Sequence, residues 1–168
     1  MAGTPPIQRL DHWTLVSRDV ERSKRFYTEI LGAQEHKFSE GGLPGRGQLP
    51  GGGQLLSVNL AGTLIDLFPA NDAPWPGQPS PGSGGQHHAY LIRLEDYEPW
   101  LEHFRAHHVP ARLMAHGLIR MSMYVDDPDG YHIELTVPFD DLEIGRREIE
   151  KRGLLQGVDR RPPWRMSQ

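Results

Sequence analysis

The chain has 168 residues, enough for one domain with a real hydrophobic core. Its formal charge of -4, from 18 basic and 22 acidic residues, supplies no phosphate-binding surface and argues against nucleic acid as a partner. Cysteine is absent, which excludes disulfides, thiolate catalysis and thiolate metal sites. No run approaches the ~18 apolar residues of a membrane span, and MAGTPPIQRL lacks a signal-peptide apolar region, so a soluble cytoplasmic protein is the expectation.

In chain order, LDHWTLVS (10–17) alternates like a strand. RDVERSKRFYTEILG follows, with Val20, Ser23, Phe26, Tyr27, Ile30 and Leu31 at helical spacing and Gly32 as the stop. GGLPGRGQLPGGGQ (41–54) reads as a mobile loop. QLLSVNLAGTLIDLF (54–68) reads as two strands joined by a turn at Ala61-Gly62. PANDAPWPGQPSPGSGG (69–85) is the clearest linker, because its Pro and Gly residues prevent both helix and ladder. The same order then recurs: HHAYLIRL is a strand, EDYEPWLEHFRAHHV a helix, and ARLMAH, LIRMSMYV and YHIELTV are three further strands. GTLIDLF (62–68) aligns with GYHIELT (130–136), so the chain reads as a two-copy β-α-β-β-β repeat of α+β class. After Pro138, DDLEIGRREIEKRG predicts a terminal helix weakened by Gly145, followed by a tail.

Strand parity sorts the side chains. In LIRMSMYV, Ile119, Met121, Met123 and Val125 share one face, opposite Arg120, Ser122 and Tyr124. In YHIELTV, Ile133, Leu135 and Val137 lie opposite His132, Glu134 and Thr136. Trp13 and Leu15 lie opposite His12, Thr14 and Val16, and His88, Tyr90, Ile92 and Leu94 opposite His87, Ala89, Leu91 and Arg93. The apolar faces want the helices, and the polar faces are left with either open water or a shared concave surface. His12 and His87 each begin the first strand of their repeat, and Glu134 closes the second. Equivalent positions in a pseudo-twofold fold converge, and two imidazoles with one carboxylate make a facial triad that leaves coordination positions open.

Three ordered motifs carry a family resemblance: H-x-x-x-x-[SV]-x-D with S-x-x-F-Y-x-x-x-L-G (His12 to Gly32), H-x-A-Y (His87 to Tyr90) and D-P-D-G-x-x-x-E (Asp127 to Glu134). Together they resemble the vicinal oxygen chelate superfamily, which includes glyoxalase I, fosfomycin- and bleomycin-resistance proteins and type I extradiol dioxygenases. The resemblance covers roughly residues 8 to 138 and implies paired βαβββ modules curled into an open mixed-sheet barrel, helices outside, around one divalent metal. It implies a single domain over 1–138, with modules 8–69 and 86–138 and linker 70–85, and a C-terminal helix and tail over 139–168. By carry-over, His12, His87 and Glu134 are the expected metal ligands. His87 is preferred to His88 because it matches H-x-A-[FY], and because the opposite choice turns Arg93 into the helix-packed face.

A finer likeness, H-x(6)-M-Y-x-x-D-P-x-G-x-x-x-E from His116 through Tyr124 to Glu134, resembles the extradiol dioxygenase signature, with Met114 as a departure. It implies that His116 and Tyr124 are catalytic, with His116 as general acid or base. Arg120, Ser122, His132 and Asp66 are the further candidates for substrate contact. Asp66 is the first-repeat counterpart of Glu134 and the position where glyoxalase I-like members place a fourth ligand. The implied activity is Fe(II)-dependent cleavage of a catechol-like aromatic by O2. The alternatives are a lyase or isomerase like glyoxalase I, using Ni(II), Zn(II) or Mn(II), and a metal-free drug-binding protein. A fosfomycin-type reaction is disfavoured because Arg120 and Arg93 are the only evident basic residues for a phosphonate. The expected partners are thus a small-molecule substrate and O2, with a homodimer left open.

Overall fold

The computed structural model describes residues 6, 8–37, 55–70 and 87–157. The loop expected at 41–54, most of the linker at 69–85 and nearly all of the tail lie outside the described residues. The chain forms two compact units, residues 1–78 and 79–168. Each holds one four-stranded mixed sheet.

In the first unit the order is β1 (His12–Ser17), α1 (Val20–Arg25), β2 (Gln34–His36), β3 (Leu56–Leu60) and β4 (Thr63–Pro69), with sheet order β1-β4-β3-β2. β1 runs parallel to β4, and β2, β3 and β4 form an antiparallel meander. Asp19 caps α1 by accepting from the Arg22 amide at 3.0 Å, while Ser17 and Ser23 share a buried hydroxyl contact of 2.8 Å. The predicted helix continues past Arg25, but Phe26–Ile30 widens into a π-turn. There Thr28 turns its hydroxyl back onto the Lys24 carbonyl at 2.9 Å. Gly32, at φ +72°, ends it as expected. Phe26, Tyr27 and Leu31 are buried, as are Leu15, Val58, Ile65 and Leu67 on the sheet. The β3–β4 turn has both Ala61 (φ +52°) and Gly62 (φ +85°) in the left-handed region, the requirement of a two-residue primed hairpin.

The second unit repeats the topology with β5 (His87–Leu91), α2 (Tyr97–Ala106), β6 (Arg112–Ala115), β7 (Arg120–Asp126) and β8 (His132–Pro138), in sheet order β5-β8-β7-β6. β5 is parallel to β8, and β8, β7 and β6 are antiparallel neighbours. Met121, Met123, Val125, Ile133, Leu135 and Val137 form the predicted apolar face and are buried, with Tyr97, Leu101 and Phe104 of α2 buried as well. Ile119 departs from the expectation: β7 starts one residue later, and Ile119 is exposed while its carbonyl accepts from the Phe139 amide at 2.7 Å.

The DDPDG turn is built by Asp127. Its Oδ1 accepts from the amides of Asp129 at 2.9 Å and Tyr131 at 2.8 Å, and Gly130 takes the left-handed φ of +87°. The terminal helix α3 (Leu142–Lys151) is capped by Asp141, whose Oδ1 accepts from Glu143 and Ile144. Its Gly145 lies buried against the Leu118 carbonyl, where a Cβ would collide, so the glycine that weakens the helix by propensity is what lets it pack. Arg152, just past the end of α3, bonds Glu148 and Glu98 at 2.8 Å each and sits 5.0 Å over the Tyr97 ring, fastening α3 to α2. No helix among the described residues is long and apolar enough to cross a membrane.

Candidate functional site

The alignment of GTLIDLF with GYHIELT makes Leu64 the counterpart of His132 and Asp66 the counterpart of Glu134. Strand register then pairs His12 with Leu64 and His87 with His132. The two histidines therefore hold the same register position within their respective units, each opening the parallel edge strand. The equivalence expected from sequence order is present in the hydrogen-bonded ladders themselves.

Within the second unit, one sheet face gathers a polar cluster. Glu134 is 2% exposed, and a buried carboxylate must be paired or hydrogen-bonded to remain charged. Its Oε2 lies 2.8 Å from His87 Nε2, and its Oε1 accepts from the Ser122 hydroxyl at 2.5 Å. Ser122 in turn meets the Thr136 hydroxyl at 2.9 Å. The question raised by a glutamate in the middle of a buried strand is answered by these partners: both faces of β8 are covered, one by apolar packing and the other by a hydrogen-bonded network. His88 points the other way, and burial, followed by the neighbouring His87, lowers its pKa.

Tyr124 stands directly opposite Glu134 in the β7–β8 register. Burial, followed by the adjacent Glu134 carboxylate, pushes its phenol up to about 12, so it stays protonated and remains a hydrogen-bond donor at neutral pH. Its hydroxyl lies 3.0 Å from His116 Nε2, and its ring is 5.8 Å from the His87 ring, edge to face. His87, Glu134, Tyr124 and His116 thus form one continuous row of contacts. The Arg112 guanidinium lies 5.9 Å from the centre of the Tyr124 ring and 3.4 Å from Asp126 Oδ1. Asp126 also holds His132 Nδ1 at 2.6 Å. Sequence reasoning missed Arg112 and Asp126, although parity with Tyr124 places both on the same face. Arg120 is exposed at the start of β7.

The first unit repeats the carboxylate motif. Asp66 Oδ1 accepts from the Ser57 hydroxyl at 2.5 Å, the same strand-to-strand support that Ser122 gives Glu134. His36, on β2, is paired in register with Ser57 and so shares that face; its three-residue strand was too short to be read from alternation. His12 is half exposed, with Nδ1 3.1 Å from Asp11 Oδ2. Arg93, weighed above as a basic residue for a phosphonate, is engaged by Asp96 and Glu95 at the surface.

The donor chemistry fits a divalent ion. Glu134 and His87 present a carboxylate oxygen and an imidazole nitrogen 2.8 Å apart, the separation of two ligands on one metal. Among the described residues, no group of three His, Asp or Glu donors gathers.

Residues 9–135 match the family described as Glyoxalase/Bleomycin resistance protein/Dioxygenase superfamily. Among solved structures, the chain is similar to the genomically encoded fosfomycin resistance protein FosX from Listeria monocytogenes. The TM-score is 0.61 and the identity 20%, covering 84% of this chain and 99% of that one. It is also similar to FosX from Mesorhizobium loti (TM-score 0.56, 17% identity, 84% of this chain and 100% of that one). A third is lactoylglutathione lyase from Agrobacterium tumefaciens (TM-score 0.54, 17% identity, 79% and 95%). With two βαβββ units, matching register positions for His12 and His87, and a family match over most of its length, the chain belongs to the glyoxalase/bleomycin resistance protein/dioxygenase superfamily.

Proposed function

We propose that the protein is a divalent-metal enzyme for a small molecule carrying two neighbouring oxygens, and that it acts as an extradiol-type dioxygenase on a catechol-like aromatic. His12, His87 and Glu134 would hold the ion, Fe(II) by preference. Such an ion supplies Lewis acidity toward paired substrate oxygens and redox contact with dioxygen. The observation that carries the finer reading is the 3.0 Å contact between His116 Nε2 and the Tyr124 hydroxyl, beside His87 and Glu134. His116 would take a proton from a substrate hydroxyl at a ring nitrogen. Tyr124, held neutral, donates its proton in a hydrogen bond to an oxygen that becomes negative, and so orients it. Ser122 fixes one Glu134 oxygen and leaves the other facing His87. Substrate contacts would come from this same face: Arg120, whose charge acts on Tyr124, and His132.

One observation favours a second reading. Asp66 receives the same serine support as Glu134, which suits a fourth ligand in a closed lyase or isomerase site using Mn(II), Ni(II) or Zn(II). A FosX from Listeria monocytogenes was crystallised with Mn(II) and 1S,2S-dihydroxypropylphosphonic acid, a ligand with vicinal oxygens. This supports the metal-and-paired-oxygen part of the proposal. Aerobic assay of the Fe(II)-loaded protein against a panel of catechols separates the readings. A yellow ring-fission product that disappears in His116→Ala supports the dioxygenase. No product from any catechol, with Asp66→Ala losing metal, supports the lyase or isomerase.

A further inference from the structure

Away from that face, α2 carries a second pair of nitrogen donors. His103 and His107, in HFRAH, are four residues apart, and the His107 amide donates to the His103 carbonyl at 3.1 Å, so both lie one turn apart on the same stripe. Their ring centroids are 4.5 Å apart and their planes are inclined at 52°. Two imidazoles bound to one ion at about 2.0–2.1 Å place their ring centres about 3.2 Å from it, hence roughly 4.5–5.2 Å from each other at ligand angles of 90–110°. The observed spacing falls at the near end of that range. Paired histidines at this spacing on one helical face are a recurring transition-metal grip.

We infer that His103 and His107 form a separate binding site for a borderline divalent transition ion, Cu(II) or Zn(II), using one nitrogen from each ring. His107 is exposed and His103 half-buried, so solvent can fill the remaining positions. Trp100 flanks His103 with its ring centre 5.6 Å away and borders the pair on the N-terminal side. His108, the next residue, has a left-handed φ of +56°, which turns the chain out of the helix, and it takes no part.

Titration of the 15N-labelled full-length chain with Cu(II), followed by NMR, tests the assignment. Broadening of amides 100–108, distinct from any at the His87 and Glu134 face, is expected as Cu(II) is added. Either His103→Gln or His107→Gln should weaken that binding at least roughly tenfold while the dispersed spectrum persists. His108→Gln should leave it intact. The absence of broadening at 100–108, broadening there that survives both single variants, or broadening lost equally in His108→Gln would overturn the assignment.

Discussion

At the level of single side chains, the support of Glu134 and the isolation of Tyr97 make opposite predictions. Removing the Ser122 hydroxyl leaves the almost fully buried Glu134 short of a donor at Oε1. Ser122→Ala should therefore lower divalent-ion affinity about 10–100-fold, since partners that orient a ligand carry that much, and calorimetric titration measures it. Tyr97 is fully buried, its hydroxyl finds no hydrogen-bond partner among the described residues, and burial pushes it up to about 12. Tyr97→Phe should consequently change stability by less than about 0.5 kcal/mol at pH 7. Above pH 10 the unfolded chain releases the Tyr97 proton while the folded chain keeps it, so stability falls as pH rises from 10 to about 12. The phenylalanine variant should show a shallower decline in denaturant titrations, with Tyr124 supplying what remains. Parity identified the face shared by Tyr124, Ser122 and Glu134. It could not show that Glu134 is buried, because alternation reads the same for a wet face and a covered one.

Among the elements, strong periodicity was legible and weak periodicity was not. β7 and β8 follow from their alternating residues, and the turn between them from Asp127 and Gly130. β2 has three residues, too few for a period to show, and the π-turn over Phe26–Ile30 keeps the helical hydrophobic pattern while changing the backbone. Gly145 shows how tertiary contact overrides propensity. Alanine is the better helix former by about 1 kcal/mol, yet its Cβ meets the Leu118 carbonyl, which is backbone and cannot rotate aside. Gly145→Ala should lower stability by about 1–3 kcal/mol, seen as a lower urea midpoint with an unchanged slope.

For the molecule as a whole, the internal repeat was the most informative feature of the sequence, since two copies of one pattern predict two sheets of one topology. The shared place of His12 and His87 at the start of the first strand of each repeat also forecast their equivalence, which the registers of β1 on β4 and β5 on β8 show. The reaction was less legible: one fold hosts many chemistries, and His116, Tyr124 and Asp66 each recur with different duties. What unites the proposed readings is one divalent ion bound by His12, His87 and Glu134. Mn(II) titration followed by electron paramagnetic resonance measures this directly, because Mn(II) stands lowest in the affinity order and binds poorly to a surface histidine pair. One ion per chain is expected for the wild type, and none at the same concentrations for His12→Ala, His87→Ala or Glu134→Ala. Wild-type affinity in His12→Ala, alongside loss in the other two, would show that the first half contributes no ligand and would contradict the shared centre.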